Sequence, residues 1–237
     1  MKVRKVEVRE TPKGKGIFAV YNIAKDQVVM AYGGVPVSLE AMLAAVQRGD
    51  NLWWNDYAKQ ISAEHALVPR DPGDFGGHLV NHSCDPSAAF RKELLVATRG
   101  IRKGEEVTCC YGWVSEKEDH ACLCDAEVCA GILGVGIERV EAGPEEVRLR
   151  VRSATVGAVL AAALLNGRRD VYDQYEHDLV EAYGEAGATR EWLDACAAWA
   201  VGVMKARGGG ERQVMKALRA VDGGMPPGAT PPADLLW

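Results

Sequence analysis

The sequence predicts an α+β protein: small curved β-sheets in the amino-terminal half and a helical region after them. Three observations carry this. Residues 1 to about 131 hold many short β-type runs broken by glycine and proline, the pattern of small sheets joined by turns. From about Glu145 onward apolar residues recur at helical spacing. With 237 residues and 48% hydrophobic content, the chain can bury one large core or two small ones. The organisation expected is residues 1–131 as one domain with an inserted helix, and 132–237 as a helical region with a Gly/Pro-rich tail.

The strands are read in order. Val3 to Val8 alternates, Gly16 to Val20 follows a glycine turn, and Gln27 to Tyr32 is apolar; Leu94 to Thr98 and Glu106 to Cys110 complete the set. Ser38 to Arg48 reads as a helix, with Ser38 placed to cap it and Gly49 to end it. In the second half, helices are expected from Ser153 or Thr155 to Asn166, from Asp170 to Tyr183, from Thr189 to Ala206 and from Glu211 to Val221. Trp192, Cys196, Trp199 and Val203 share one face of the third of these, and they read as core or as a homodimer contact. The tail from Gly223 to Pro232 is expected to be extended or disordered.

Composition excludes several classes. The formal net charge of -5 argues against sequence-independent nucleic-acid binding, which needs a basic face. Val156 to Leu165, the most apolar run, is too short to span a bilayer. No signal or transit peptide is visible at the amino terminus. Seven cysteines on such a chain point to a reducing, intracellular setting rather than a disulfide framework.

Four of the cysteines form a pattern. Cys122, Cys124 and Cys129 make a C-x-C-x4-C cluster flanked by Asp125, Glu127 and Gly131, and Cys84 can supply a fourth ligand. Zn²⁺ takes four tetrahedral thiolate or imidazole ligands, and such a site ties distant segments together. The alternative is that they are buried free thiols. Cys109, Cys110 and Cys196 lie in apolar or helical contexts and read as packing residues. The loop Thr11-Pro12-Lys13-Gly14-Lys15-Gly16 leads into a strand; its glycines permit a ligand close to the backbone, although a plain tight turn reads equally well.

Taken in order, five blocks resemble the SET-domain protein lysine methyltransferases over roughly residues 3 to 130. They are Gly14 to Ala19, Tyr32-Gly33-Gly34-Val35, Leu79 to Pro86 with its Asn81-His82-Ser83-Cys84 core, Gly104 to Gly112, and the post-SET cysteines. The resemblance implies small sheets in a knot-like arrangement, with the Asn-His-Ser segment threaded beside the strand that carries the catalytic tyrosine. It implies S-adenosylmethionine bound by Lys13, Gly14, Lys15, Gly16 and Phe18 with Asn81 and His82, and Tyr111 as the catalytic tyrosine. Tyr32 would line the lysine channel, with Phe90, Cys109 and Trp113 at its walls. Structural zinc would be held by Cys84, Cys122, Cys124 and Cys129. No cysteine precedes Cys84, so a cysteine-rich pre-SET module is not part of the match.

The chain also departs from the family pattern. His78-Leu79 stands before the Asn-His block, Ser87 follows Pro86, and Cys110 precedes Tyr111. Phe90 and Cys109 bring no tyrosine hydroxyl to the channel, which by resemblance favours di- or trimethylation. His82 reads as a structural hydrogen-bonding residue rather than a base, and Glu105-Glu106 as a solvated turn entering a strand. Trp53 to Gly77 is expected to be the insert that shapes the peptide groove, with Trp53 and Trp54 packed. The activity implied is protein-lysine methylation, on a histone tail in a nucleus or, in a cell without one, in the cytoplasm. A non-histone target and a catalytically silent protein-binding module are the competing readings.

Overall fold

The computed structural model describes residues 5–62, 64–111, 120–133, 137–143, 146–151, 153–183, 188–206 and 214–219. It divides into two compact units, residues 1–82 with 86–109, and residues 83–85 with 110–237. Trp113, the start of the fourth expected helix and the whole tail from Gly223 lie outside the described residues.

The first unit is a set of short strands. In chain order they are β1 (Val6–Thr11), β2 (Gly14–Ala19), β3 (Val28–Ala31), β4 (Val35–Ser38), helices α1 (Leu39–Gln47) and α2 (Trp54–Tyr57), then β5 (Lys59–Gln60), β6 (His65–Val68), β7 (Asn81–His82), β8 (Ala88–Arg91), β9 (Leu94–Ala97) and β10 (Glu106–Cys109). They make three small sheets, ordered β1-β2-β10-β7, β3-β9-β8 and β4-β6-β5. Nearly all pairings are antiparallel. The exception is β7 with β10, a parallel pair that sets Asn81 opposite Thr108 and His82 opposite Cys109.

Local chemistry explains the elements that the sequence makes legible. The Ser38 hydroxyl accepts from the Ala41 N–H at 3.1 Å, filling an orphan donor at the start of α1. Arg48 and Gly49 close its end, Gly49 with φ of 82°. Alternation along β2 and β10 sends Ile17, Ala19 and Val107 inward, where they meet Val6, Ile23, Leu79, Val80, Leu95 and Ile101 in one core. Gly34 lets the chain entering β4 pass close to the end of β6. Its φ is 93°, and an added Cβ would lie 2.4 Å from the Val68 carbonyl oxygen. Gly34→Ala should therefore cost about 1–3 kcal/mol, read as a lowered denaturation midpoint; an unchanged midpoint would contradict this packing.

The second unit opens with strands the sequence pattern did not predict. After β11 (His120–Ala121) and β12 (Ile132–Leu133) comes a hairpin of β13 (Ile137–Gly143) and β14 (Glu146–Val151). The helical pattern thus starts later than Glu145. Val147, Leu149 and Val151 alternate with Arg148 and Arg150, a period of two that marks a strand rather than a helix. Helices α3 (Ser153–Leu165), α4 (Arg169–Tyr183), α5 (Arg190–Ala206) and α6 (Val214–Arg219) follow.

Helix α3 is central to this unit. Val156, Ala158, Leu160, Ala161, Ala162 and Ala163 are all buried, so its apolar surface faces other helices around it. Its small residues allow close approach: a Cβ on Gly157 would sit 2.8 Å from the Cys196 carbonyl oxygen of α5. Trp192, Tyr172 and Tyr175 are core, as the helical spacing predicts. Cys196 is fully buried, which pushes its thiol up to about 12. Among the described residues no helix is long and apolar enough to cross a membrane.

Candidate active site and metal centre

The glycine loop is a turn between β1 and β2, paired as Thr11 opposite Gly14. The Asn81 side-chain amide reaches this loop from β7, donating to the Lys15 carbonyl at 3.2 Å and to Glu106 Oε1 at 2.7 Å. Lys13 Nζ completes the group, 3.3 Å from Glu106 Oε2 with both side chains largely buried. Gly16 is needed where these chains cross, since a Cβ there would lie 2.6 Å from Glu106 Oε1 and 3.0 Å from Asn81 Nδ2. Four expected cofactor residues are therefore gathered: Lys13, Lys15, Gly16 and Asn81.

Glu106 was expected in a solvated turn, and the structure corrects this. Glu105 does stay in the turn, bonded to Arg99 at 2.6 Å and to the Arg102 N–H at 2.9 Å. Glu106 begins β10, and the pleat turns its carboxylate to Asn81 and Lys13. Gly14 has φ of 94° at the turn. Phe18, on β2 between Glu7 and Glu106, is half-buried beneath the Arg9 guanidinium, 4.9 Å from its ring centroid. His82 sits in β7 against Cys109.

Tyr32 lies at the end of β3 and is 6% exposed. Its hydroxyl donates to the Tyr57 carbonyl, and its ring meets Phe90 edge-on with centroids 5.5 Å apart. Burial, reinforced by nearby Cys109, pushes the Tyr32 phenol above its ordinary value, so it stays a neutral donor. Gly77 makes this packing possible: its N–H donates to the Tyr32 carbonyl at 2.7 Å, and a Cβ would lie 2.6 Å from the Tyr32 ring. The neighbouring His78 ring tilts against Tyr57 with centroids 5.3 Å apart, and burial holds its pKa below the usual imidazole value. Phe90 and Tyr32 are thus in contact, and Cys109 is buried in the core.

Trp54 packs, donating its indole N–H to the Pro69 carbonyl at 3.2 Å. Tyr111 follows β10 by two residues and is 42% exposed.

The four cysteines of the expected metal site converge within the second unit. Cys84 Sγ lies 4.0 Å from Cys122 Sγ and 3.9 Å from Cys129 Sγ, and Cys124 Sγ is 3.5 Å from Cys129 Sγ. A tetrahedral ion with Zn–S bonds of about 2.3 Å spaces its sulfurs about 3.8 Å apart. The donor set could therefore hold zinc. Backbone N–H groups also point at the sulfurs: Cys84 to Cys124 Sγ at 3.4 Å, Ala130 to Cys84 Sγ at 3.3 Å and Gly131 to Cys129 Sγ at 3.3 Å. Such donors stabilise thiolate charge. Hydrogen bonds from neighbouring thiols, Cys122 first, hold Cys124 below the ordinary thiol value, while Cys84, donating to the others and buried, is pushed up. Cys84, Cys122 and Cys124 belong to a group whose donor atoms lie within 4.8 Å of one another.

Two residues that the sequence reading missed fasten this site. Asn166, just after α3, donates from its amide to the Val128 carbonyl at 2.6 Å and the Cys84 carbonyl at 3.4 Å, and accepts from the Val128 N–H at 3.2 Å. Arg168 bonds Asp85 at 3.1 Å and Asp170 at 2.7 Å, and its hydrogen bond keeps the Asp170 carboxyl below the usual range. In the sequence, Asn166-Gly167 gave only a helix-stop signal. Asn166→Ala should cost about 1–3 kcal/mol, since it strips partners from partly buried backbone groups. Denaturation midpoints check this, and a value equal to wild type would refute the clamp.

A profile of the SET domain matches residues 14–112. The chain is also similar to histone-lysine N-methyltransferase set-2 of Caenorhabditis elegans, 30% identical over 132 residues that span 51% of this chain and 8% of that protein. Histone-lysine N-methyltransferase ASHH3 of Arabidopsis thaliana is 30% identical over 146 residues, 56% of this chain and 39% of that one. The H3 lysine-4 specific histone-lysine N-methyltransferase of Schizosaccharomyces pombe is 30% identical over 132 residues, 50% of this chain and 14% of that one. The chain therefore spans well under half the length of these relatives.

Proposed function

The chain belongs to the SET-domain family, and on that premise we propose that it is an S-adenosylmethionine-dependent protein-lysine N-methyltransferase acting on a histone tail. The observation that carries the reading is the parallel pairing of Asn81-His82 with β10, the strand that leads directly into Tyr111. It joins the glycine loop, through Asn81 and Glu106, to the strand that precedes the proposed catalytic tyrosine.

The residues around Lys13 suit the cofactor's amino-acid end. Lys13 would hold its α-carboxylate, and Glu106 with neighbouring carbonyls would hold its α-ammonium. S-adenosylmethionine supplies a sulfonium methyl that is already electrophilic. The protein's part is to bring a neutral lysine nitrogen into line with it, and orientation of this kind supplies roughly 7–11 kcal/mol. A free lysine with pKa near 10.4 is mostly protonated at neutral pH, and both desolvation in an aromatic channel and repulsion from the sulfonium favour the neutral amine. Tyr111 and backbone carbonyls orient that amine. Tyr32, held neutral and fixed to the Tyr57 carbonyl, keeps the channel wall in place. Phe90 leaves the wall without a hydroxyl that would hold water there, which favours di- or trimethylation. Cys84, Cys122, Cys124 and Cys129 would hold a structural zinc ion, which closes chain segments and performs no chemistry. A histone substrate would put the protein in a nucleus or, in a cell without one, in the cytoplasm, and pairing of two copies through the helical second unit belongs to the same reading.

The test is transfer of labelled methyl from S-adenosylmethionine to core histones and to total lysate protein. Label in histone supports the reading; label confined to other lysate proteins moves the substrate, and none in either points to a silent binding module.

A further inference from the structure

Lys59 stands at the start of β5, two residues after Tyr57, and pairs with Leu67 of β6. It is half-buried, and its Nζ lies 4.6 Å from the centroid of the Phe90 ring. Phe90 in turn meets Tyr32 edge-on, and Tyr32 is tied to the Tyr57 carbonyl just upstream of Lys59. The chain thus folds one of its own lysines onto the aromatic wall described above. The face of a ring attracts an ammonium electrostatically, more so where water is partly excluded. An arriving substrate lysine, before it gives up its proton, carries the same ammonium on the same four-carbon stem and would compete for this aromatic face.

We propose that Lys59 is a resident cation of the acceptor-lysine site, which a substrate lysine must displace, and that it thereby sets the affinity of the site. The proposal rests on the methyltransferase reading for what the site accepts. Displacement weakens substrate and transition state alike, so Lys59 raises KM and leaves kcat alone. It is a positioning residue and takes no part in the methyl transfer.

The test compares the full chain with Lys59→Met, unbranched and uncharged, and Lys59→Arg, which keeps the charge. With S-adenosylmethionine and a histone H3 tail peptide, Lys59→Met is expected to lower KM about two- to fivefold, the range an aromatic–cation contact supports, with kcat unchanged. Lys59→Arg should keep the wild-type KM. A KM for Lys59→Met equal to or above wild type would overturn the proposal. A second measurement needs no turnover. In protein carrying ¹³C-labelled lysine, the Lys59 ε-methylene should resonate upfield under the Phe90 ring current, lose that shift in Phe90→Leu, and move back when n-butylammonium is added. A wild-type Lys59 signal at the unshifted position would overturn the proposal by itself. The shift and its displacement without transfer to any protein would instead defeat the methyltransferase reading and leave the resident cation standing.

Discussion

Phenylalanine at position 111 is expected to cut kcat for methyl transfer by roughly 10²–10³-fold, the loss typical when one preorganised polar group at a reacting centre is removed. The substitution deletes a single hydroxyl from a residue that is 42% exposed, so folding and cofactor affinity should hold. Its position gives the effect. Tyr111 leaves the end of β10, whose residues Thr108 and Cys109 pair with Asn81 and His82, and Asn81 is bonded to the glycine loop. In the proposed reaction this hydroxyl is the group that orients the lysine nitrogen, so its removal is felt in the transfer step. Transfer rates under saturating peptide and cofactor check this; a kcat within a few-fold of wild type would remove Tyr111 from the mechanism.

Loss of the metal should have a comparable effect on stability. Structural zinc sites contribute apparent binding energies of about 10–16 kcal/mol near neutral pH, and that energy is coupled to folding. Here Cys84, Cys122 and Cys129, with half-buried Cys124 against them, belong to a buried cluster that includes Ala158, Ala161 and Ala162 of α3 and Val214 and Leu218 of α6. The Val214 and Met215 N–H groups also donate to the Cys129 and Ala130 carbonyls. Cys124→Ser, or treatment with a strong chelator, is therefore expected to release one equivalent of zinc and to melt the α3–α6 helices together. Metal analysis and circular dichroism in parallel check it. Full retention of zinc, or its loss with unchanged helix melting, would contradict the assignment.

How much of this was legible depended on where each signal sits. Helix α1 could be read from Ser38 and Gly49 because cap and stop are local chemistry. The cysteine cluster could be read because ligand spacing survives in the sequence. Strand β7 could be read only through the family resemblance, which threads Asn81-His82 beside β10; two residues carry no periodicity of their own. The sheet of β4, β6 and β5 was hidden for a related reason, with Pro36 interrupting one strand and β5 only two residues long. Glu106 was misread because adjacent acids look alike in sequence, while the pleat sends Glu105 to Arg99 and Glu106 to Asn81. Asn166 and Arg168 act across distances of 38 to 83 residues along the chain, where no local pattern reaches. The β13–β14 hairpin was legible in the alternation of Val147, Leu149 and Val151 with Arg148 and Arg150, which the helical expectation from Glu145 overran.

The activity proposed for the chain is methyl transfer from S-adenosylmethionine to the side-chain nitrogen of lysine in a protein. Peptide mass mapping of core histones, after incubation with the chain and methyl-deuterated S-adenosylmethionine, tests it most directly. Deuterated dimethyl- or trimethyl-lysine, absent when the Tyr111→Phe protein is used, is the result predicted. Deuterated methyl groups on arginine or carboxylate side chains instead, or equal lysine methylation with both proteins, would contradict it.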